Sequence, residues 1–337
     1  ALYREVGDQP NVAGLSNLLG TTLRDLGDVQ SGYQLLVESL AAAQRVGDQR
    51  TQVYTLELLG TFQLQLGHLA EAEASHRQCL SLCQKMQFES MINSTLSGLG
   101  VTLIWNGKFA EGCSYLLKRS HKVFDKGPDK TAFLYNGLSM AYLHQGQYDQ
   151  AYSHCELSLS AAYRSTIPRY ISTTLWTKGL IALVQDDPIT AEQSLHESLS
   201  VIKDIDLVGC HEFPLVGLAF LASQAGDLSA MRHDLWRALR IAVATQSFLS
   251  LLHIFPAVAL YLSGQRQQAA FALEIYALIS QYGHVANSRW FAEIVGDHLQ
   301  ATQASLPAAL IAKALRRGKH RDMWSTARGL LAMLANE

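Results

Sequence analysis

Two stretches decide the fold: LLGTTLRDLGD at residues 18–28 and LLGTFQLQLGH at residues 58–68. Each sets apolar residues at helical spacing, stops at a glycine and resumes with a polar step. The segment recurs as GLGVTLIWNGK (98–108), GLSMAYLHQGQ (137–147), GLIALVQDDP (179–188), GLAFLASQAGD (217–227) and VALYLSGQR (258–266). The turn residues are Gly27, Gly67, Gly107, Gly146, Asp186, Gly226 and Gly264, spaced 40, 40, 39, 40, 40 and 38 apart. A fixed period of this length marks a repeat array.

Each unit reads as helix A, a tight turn, helix B and a loop. A glycine seven positions before the turn (Gly20, Gly60, Gly100, Gly179) lets a partner helix approach closely. A small residue stands five positions after it (Gly32, Ala72, Gly112, Ala151, Ala191, Ala269). One helix pair leaves an apolar face that only the next pair covers, so the core grows along a line. The 337 residues would otherwise imply about two globular domains. The expectation is instead all-α: a right-handed superhelical solenoid of about seven helix-turn-helix repeats over 1–283, continued by repeat-like and capping helices at 284–337. Asp186-Asp187-Pro188 replaces the glycine turn of the fifth unit and Met231 the small residue of the sixth, so a change of pitch is expected near 185–235.

This pattern resembles the tetratricopeptide repeat. Leu19-Gly20, Leu59-Gly60, Leu99-Gly100, the turn glycines, and Ala72, Ala151 and Ala191 fall where that motif has its leucine, glycine, turn and alanine. The period is nearer 40 than the motif's usual ~34. That longer unit is similar to repeats in the sensor arms of bacterial signal-transduction ATPases, including the maltose-regulon activator and the antibiotic-regulatory type. The closing segment SLPAALIAKALRRGKHRDMWSTARGLLAMLANE (305–337) also resembles the end of such proteins. The resemblance implies an effector-sensing arm, with a small molecule, peptide or protein as partner and an ATPase module preceding residue 1. The opening ALYREVGDQP reads as the end of a helix and a Gly-Asp turn, as in a piece of a longer chain.

With 27 Lys and Arg against 29 Asp and Glu, the chain has no basic excess with which to bind nucleic acid. No apolar run is long enough to span a membrane, so the reading is cytoplasmic. The five cysteines are an odd number inside helical patterns and read as buried thiols. Phosphate-binding loops, zinc-protease motifs and nucleophile elbows are missing, and no metal or cofactor pattern is present. The twelve histidines show no ligand spacing, and the expectation is no enzyme.

In such a superhelix the A helices line the concave side. Helical geometry then points to Asn17, Arg24, Tyr54, Glu57, Trp105, Asn136, His144, Trp176, Phe220 and Tyr261 as groove residues. The N-terminal half of this groove is polar and the C-terminal half aromatic, which suits a small ligand or a peptide. Phe133, Met140, Phe213 and Phe255 share the stripe, with helix packing as their simpler role. Pro168 opens a helix, and Arg169 and Tyr170 beside it offer a contact point. The basic cluster Lys313, Arg316, Arg317, Lys319, His320 and Arg321 reads as cations favourable to a helix C-terminus. The alternative to a sensor is a passive scaffold that clamps a partner peptide or helix; a stand-alone peptide-pheromone receptor is a third reading.

Overall fold

The computed structural model describes residues 9–25, 27–120, 127–204 and 210–336. Every regular element among them is helical. The A helices are α1 (Gln9–Asp25), α3 (Gln49–Leu66), α5 (Glu89–Trp105), α7 (Pro128–His144), α9 (Pro168–Val184), α11 (Glu212–Gln224) and α13 (Phe248–Ser263). The B helices alternate with them: α2 (Val29–Val46), α4 (Leu69–Lys85), α6 (Phe109–Ser120), α8 (Tyr148–Ser165), α10 (Pro188–Ile202), α12 (Leu228–Thr245) and α14 (Ala269–Ile279). Each A helix packs on its own B helix and on the next A helix, which makes a superhelical solenoid. The opening reading falls at 1–8, outside the described residues.

The turns form for a local reason. Gly27, Gly67, Gly107, Gly146 and Gly226 all adopt positive φ, between 74° and 89°, where a side chain is disfavoured. Asp186 takes the same conformation at φ 56°, so the fifth turn survives the loss of its glycine. Gly264 does not: its φ is −70°, and a short 3-10 turn at Arg266–Gln268 leads into α14 instead. The aspartates after three of these turns cap the B helices, with Asp28, Asp187 and Asp227 accepting from the backbone N–H groups of Ser31, Thr190 and Ala230.

Packing between pairs uses a knob and two glycines. Nine residues after each turn stands a buried side chain: Leu36, His76, Leu116, Cys155, Leu195 and Leu235. Leu116 fits against Gly100 of its own A helix and Gly137 of the next, and Leu195 against Gly179 and Gly217. A Cβ on Gly217 would come within 2.4 Å of Leu195 Cδ2. His76 fills the same place between Gly60 and Gly98.

Beyond α14 the chain leaves the pairwise pattern. It runs through two short helices, α15 (Gly283–Ala286) and α16 (Arg289–Phe291), a π-helical turn (Ala292–Gly296) and α17 (Asp297–Ala304). This segment crosses the C-terminal ends of earlier A helices. Gly283 meets Gly107 and Arg289 lies on Gly146, while Phe248 at the start of α13 covers the Gly67 turn. The Asn287 side chain donates to the Gly107 carbonyl at 3.3 Å and the Trp290 indole to the Leu180 carbonyl at 3.1 Å. Tyr148 and Arg289 both hold Glu293. Helix α13 is enclosed by these contacts, its residues from Ser250 to Leu262 all buried, as expected of a helix apolar on every face. Two last helices, α18 (Ala308–Lys319) and α19 (Met323–Asn336), pack on α14 and α12 and close the stack. Of the basic cluster, Arg321 pairs with Glu274 at 2.7 Å, which ties the loop after α18 to α14.

Candidate ligand-binding groove

Three adjoining hollows follow the A helices. The first, about 380 Å³, is lined by Asn17, Thr21, Tyr54 and Glu57. The second, about 300 Å³, shares Glu57 with it and adds Ser94, Ser97, Asp129, Lys130, Phe133 and Tyr170. The third, about 260 Å³, shares Phe133 and Tyr170 with the second and adds Trp105, Asn136, Met140, Arg169, Trp176 and Phe213. Shared walls make them one trough, and its polarity departs from the expected polar N-terminal half: Leu18, Tyr54 and Leu58 make the first hollow mainly apolar, the middle hollow is the polar one, and the C-terminal hollow is aromatic.

Helical register explains the convergence. Asn136 and Met140 are one turn apart on α7, and Thr173 and Trp176 one turn apart on α9, so each helix offers a stripe to the same hollow. Trp176 stacks obliquely on Phe213 at 4.6 Å, and Trp105 meets Phe213 at 6.2 Å. Phe133 and Tyr170 stand edge to face at 6.5 Å where the second and third hollows join. The Asn136 carbonyl oxygen accepts from Thr177 at 2.9 Å, which orients its amide. Glu57 accepts from Ser94 at 3.1 Å. Arg169 and Tyr170 belong to the first turn of α9, opened by Pro168, so the contact point is also the start of the helix.

The ten sequence-predicted groove residues divide. Tyr54, Glu57, Trp105, Asn136 and Trp176 line the trough. Asn17 borders it but is 9% exposed, bonded to Thr55 and Ser39 between helices. Arg24 lies over the Phe62 ring at 5.6 Å. Three depart from the expectation of a groove position. His144 is fully buried beneath α15 and α16, Phe220 is core against Trp290 at 5.3 Å, and Tyr261 is 4% exposed within α13. His144 and Phe220 sit toward the covered ends of their helices, where the returning C-terminal segment replaces solvent, whereas Tyr261 borders a separate hollow with Gln265, Arg266, Gln267 and Gln268. Arg169 and Tyr170, weighed separately in the sequence, and Thr173, not singled out there, complete the aromatic hollow.

Behind the aromatic wall the fold gathers His144, His253 and His284. Burial holds His144 and His253 well below the usual imidazole range and pulls His284 down to about 4. They are neutral at physiological pH.

Residues 11–85 match the family model for the tetratricopeptide repeat. No curated protein sequence matches the chain. Among solved structures, a Rap protein complexed with competence and sporulation factor is similar, with a TM-score of 0.69, 12% identity, and coverage of 91% of this chain and 82% of that one. The apo form of RapI is also similar, with a TM-score of 0.55, 13% identity, and coverage of 95% and 98%. The chain therefore has the fold of a tetratricopeptide-like solenoid. No helix among the described residues is long and apolar enough to cross a membrane.

Proposed function

We propose that this solenoid is the effector-sensing arm of a larger cytoplasmic, nucleotide-regulated signalling or transcription-regulatory protein, and that its effector is an extended peptide lying along the trough. One observation carries the reading: the three hollows share Glu57, Phe133 and Tyr170 as common walls. A compact metabolite fills one pocket, whereas linked pockets of a few hundred Å³ suit successive side chains of an extended chain. The aromatic hollow takes an apolar anchor, because its rings offer area at little entropic cost. The polar hollow beside Glu57, Asp129 and Lys130 holds backbone or polar side chains. The Rap protein of similar fold, complexed with competence and sporulation factor, supports a solenoid that takes a signalling ligand. Switching requires the effector to bind one arrangement of the arm better than another.

Selection of a displayed random-peptide library on the purified chain tests this. An enriched motif with an apolar anchor is expected, and it is expected to be lost on Trp176→Ala. No enrichment, or a motif indifferent to Trp105, Phe133 and Trp176, contradicts it. The regulatory half is tested separately by the coding sequence before residue 1, where a nucleotide-binding module is expected.

A further inference from the structure

His144, His253 and His284 come from three separate elements: the last turn of α7, the middle of α13 and the short helix α15. Their exposures are 0, 1 and 0%, and one ring nitrogen from each lies within 4.8 Å of the other two. Protons alone do not satisfy this cluster. A carbonyl only accepts, so the 3.1 Å contact between His284 Nδ1 and the Ile104 carbonyl places the proton on Nδ1. His284 Nε2 then carries a lone pair, and it faces His253 Nε2 at 3.2 Å. If His253 donates across that gap, its Nδ1 is left as a buried lone pair, and that atom has no partner. His144 Nδ1 meets Ser288 Oγ at 2.7 Å, while its buried Nε2 is also without a partner. Unpaired groups of this kind are costly in a dry core.

We propose that His144, His253 and His284 bind one divalent transition-metal ion, with zinc the best match. Tetrahedral zinc with Zn–N distances of ~2.0–2.1 Å holds its nitrogens ~3.3 Å apart. The His253–His284 pair is already at 3.2 Å, and His144 has a small distance to close. Imidazole is a strong ligand for zinc and its neighbours in the first transition row. Metal-bound histidines are oriented by a hydrogen bond from the other ring nitrogen, the part that Ser288 Oγ plays for His144 and the Ile104 carbonyl for His284. Rings complete a water-excluding shell: Trp105 stacks on His284 at 4.5 Å and Phe109 on His144 at 5.0 Å. The ion pins the returning segment to the central repeats. It also sits directly behind Trp105 and Trp176, which touch His284 and His253 and line the aromatic hollow.

Titration of Co²⁺ into the metal-stripped chain tests the site, followed by ligand-field absorption and native mass spectrometry. The expected result is one Co²⁺ per chain, a visible band that saturates at one equivalent, displacement by Zn²⁺ and a higher Tm. Ser288→Ala leaves all three imidazoles in place and is expected to weaken Co²⁺ binding by ~10–100-fold. His253→Gln is expected to weaken it further. Because histidine variants of a buried cluster can fail to fold, X-ray absorption on the Zn²⁺-loaded wild-type chain gives an independent answer, with imidazole nitrogen scatterers expected. A folded wild-type chain that takes up neither ion overturns the proposal. So do sulfur scatterers, which would place the ion at buried thiols such as Cys79 and Cys83, four residues apart on α4, and equal uptake by wild type and a folded His253→Gln.

Discussion

Single residues carry two consequences of the repeat geometry. His76 takes the knob position that leucine fills in four other units, and burial pulls its pKa to about 4. The unfolded chain, with an imidazole near 6.5, therefore binds a proton more readily between those values. Stability from this group is complete above pH 6.5 and drains away as the pH falls toward 4, by about 3 kcal/mol in all. His76→Leu is expected to fold and to flatten the pH dependence of Tm across that window, with one proton fewer taken up on unfolding. An unchanged slope would show that His76 titrates normally in the folded state. At the repeat junctions Thr166 is exposed with φ 56°, a conformation that strains a β-branched residue. Thr166→Gly is expected to raise stability by roughly 0.5–1 kcal/mol in denaturant melts, because relief of strain outweighs the added chain entropy.

At the scale of elements, helix starts and glycine holes set the pairing. Asp227 caps α12 through the Ala230 N–H, and Asp227→Ala is expected to cost about 1 kcal/mol in equilibrium unfolding. Gly217→Ala drives a methyl into Leu195 and is expected to cost ~1–3 kcal/mol, partly recovered by Leu195→Ala in the same chain. The sequence makes the helix-turn-helix unit legible because its apolar spacing and its turn glycines both repeat. Gly98, Gly137 and Gly217, nine residues before their turns, are harder to see, since other units have a larger residue there. The junction turns at Gly47, Gln87, Gly127, Thr166 and Gln246 also keep the forty-residue rhythm in left-handed backbone. They escape a reading by residue type because the geometry repeats while the side chain does not.

For the whole molecule, the decisive feature is the return of the C-terminal segment across repeats three to five. The Ile104–His284 and Gly107–Asn287 contacts each span 180 residues, a separation that periodicity cannot anticipate. This is why a groove stripe read from helical geometry finds Trp105, Asn136 and Trp176 in one hollow yet also includes His144 and Phe220, which the segment covers. The same return assembles the histidine cluster from residues with no ligand spacing. What stays open is the trough, and its middle is the exposed ring of Phe133. Phe133→Ala is expected to leave folding stability within about 0.5 kcal/mol and to weaken peptide binding by about 2 kcal/mol or more, if the ring anchors the ligand between the two hollows.

The most direct test is hydrogen exchange on the chain with and without a trough-selected peptide. Slower exchange is expected in α1, α3, α5, α7, α9 and the start of α11, whose side chains line the hollows, with the convex B helices unchanged. Protection confined to the B helices, or no change at saturating peptide, would contradict a ligand-binding groove.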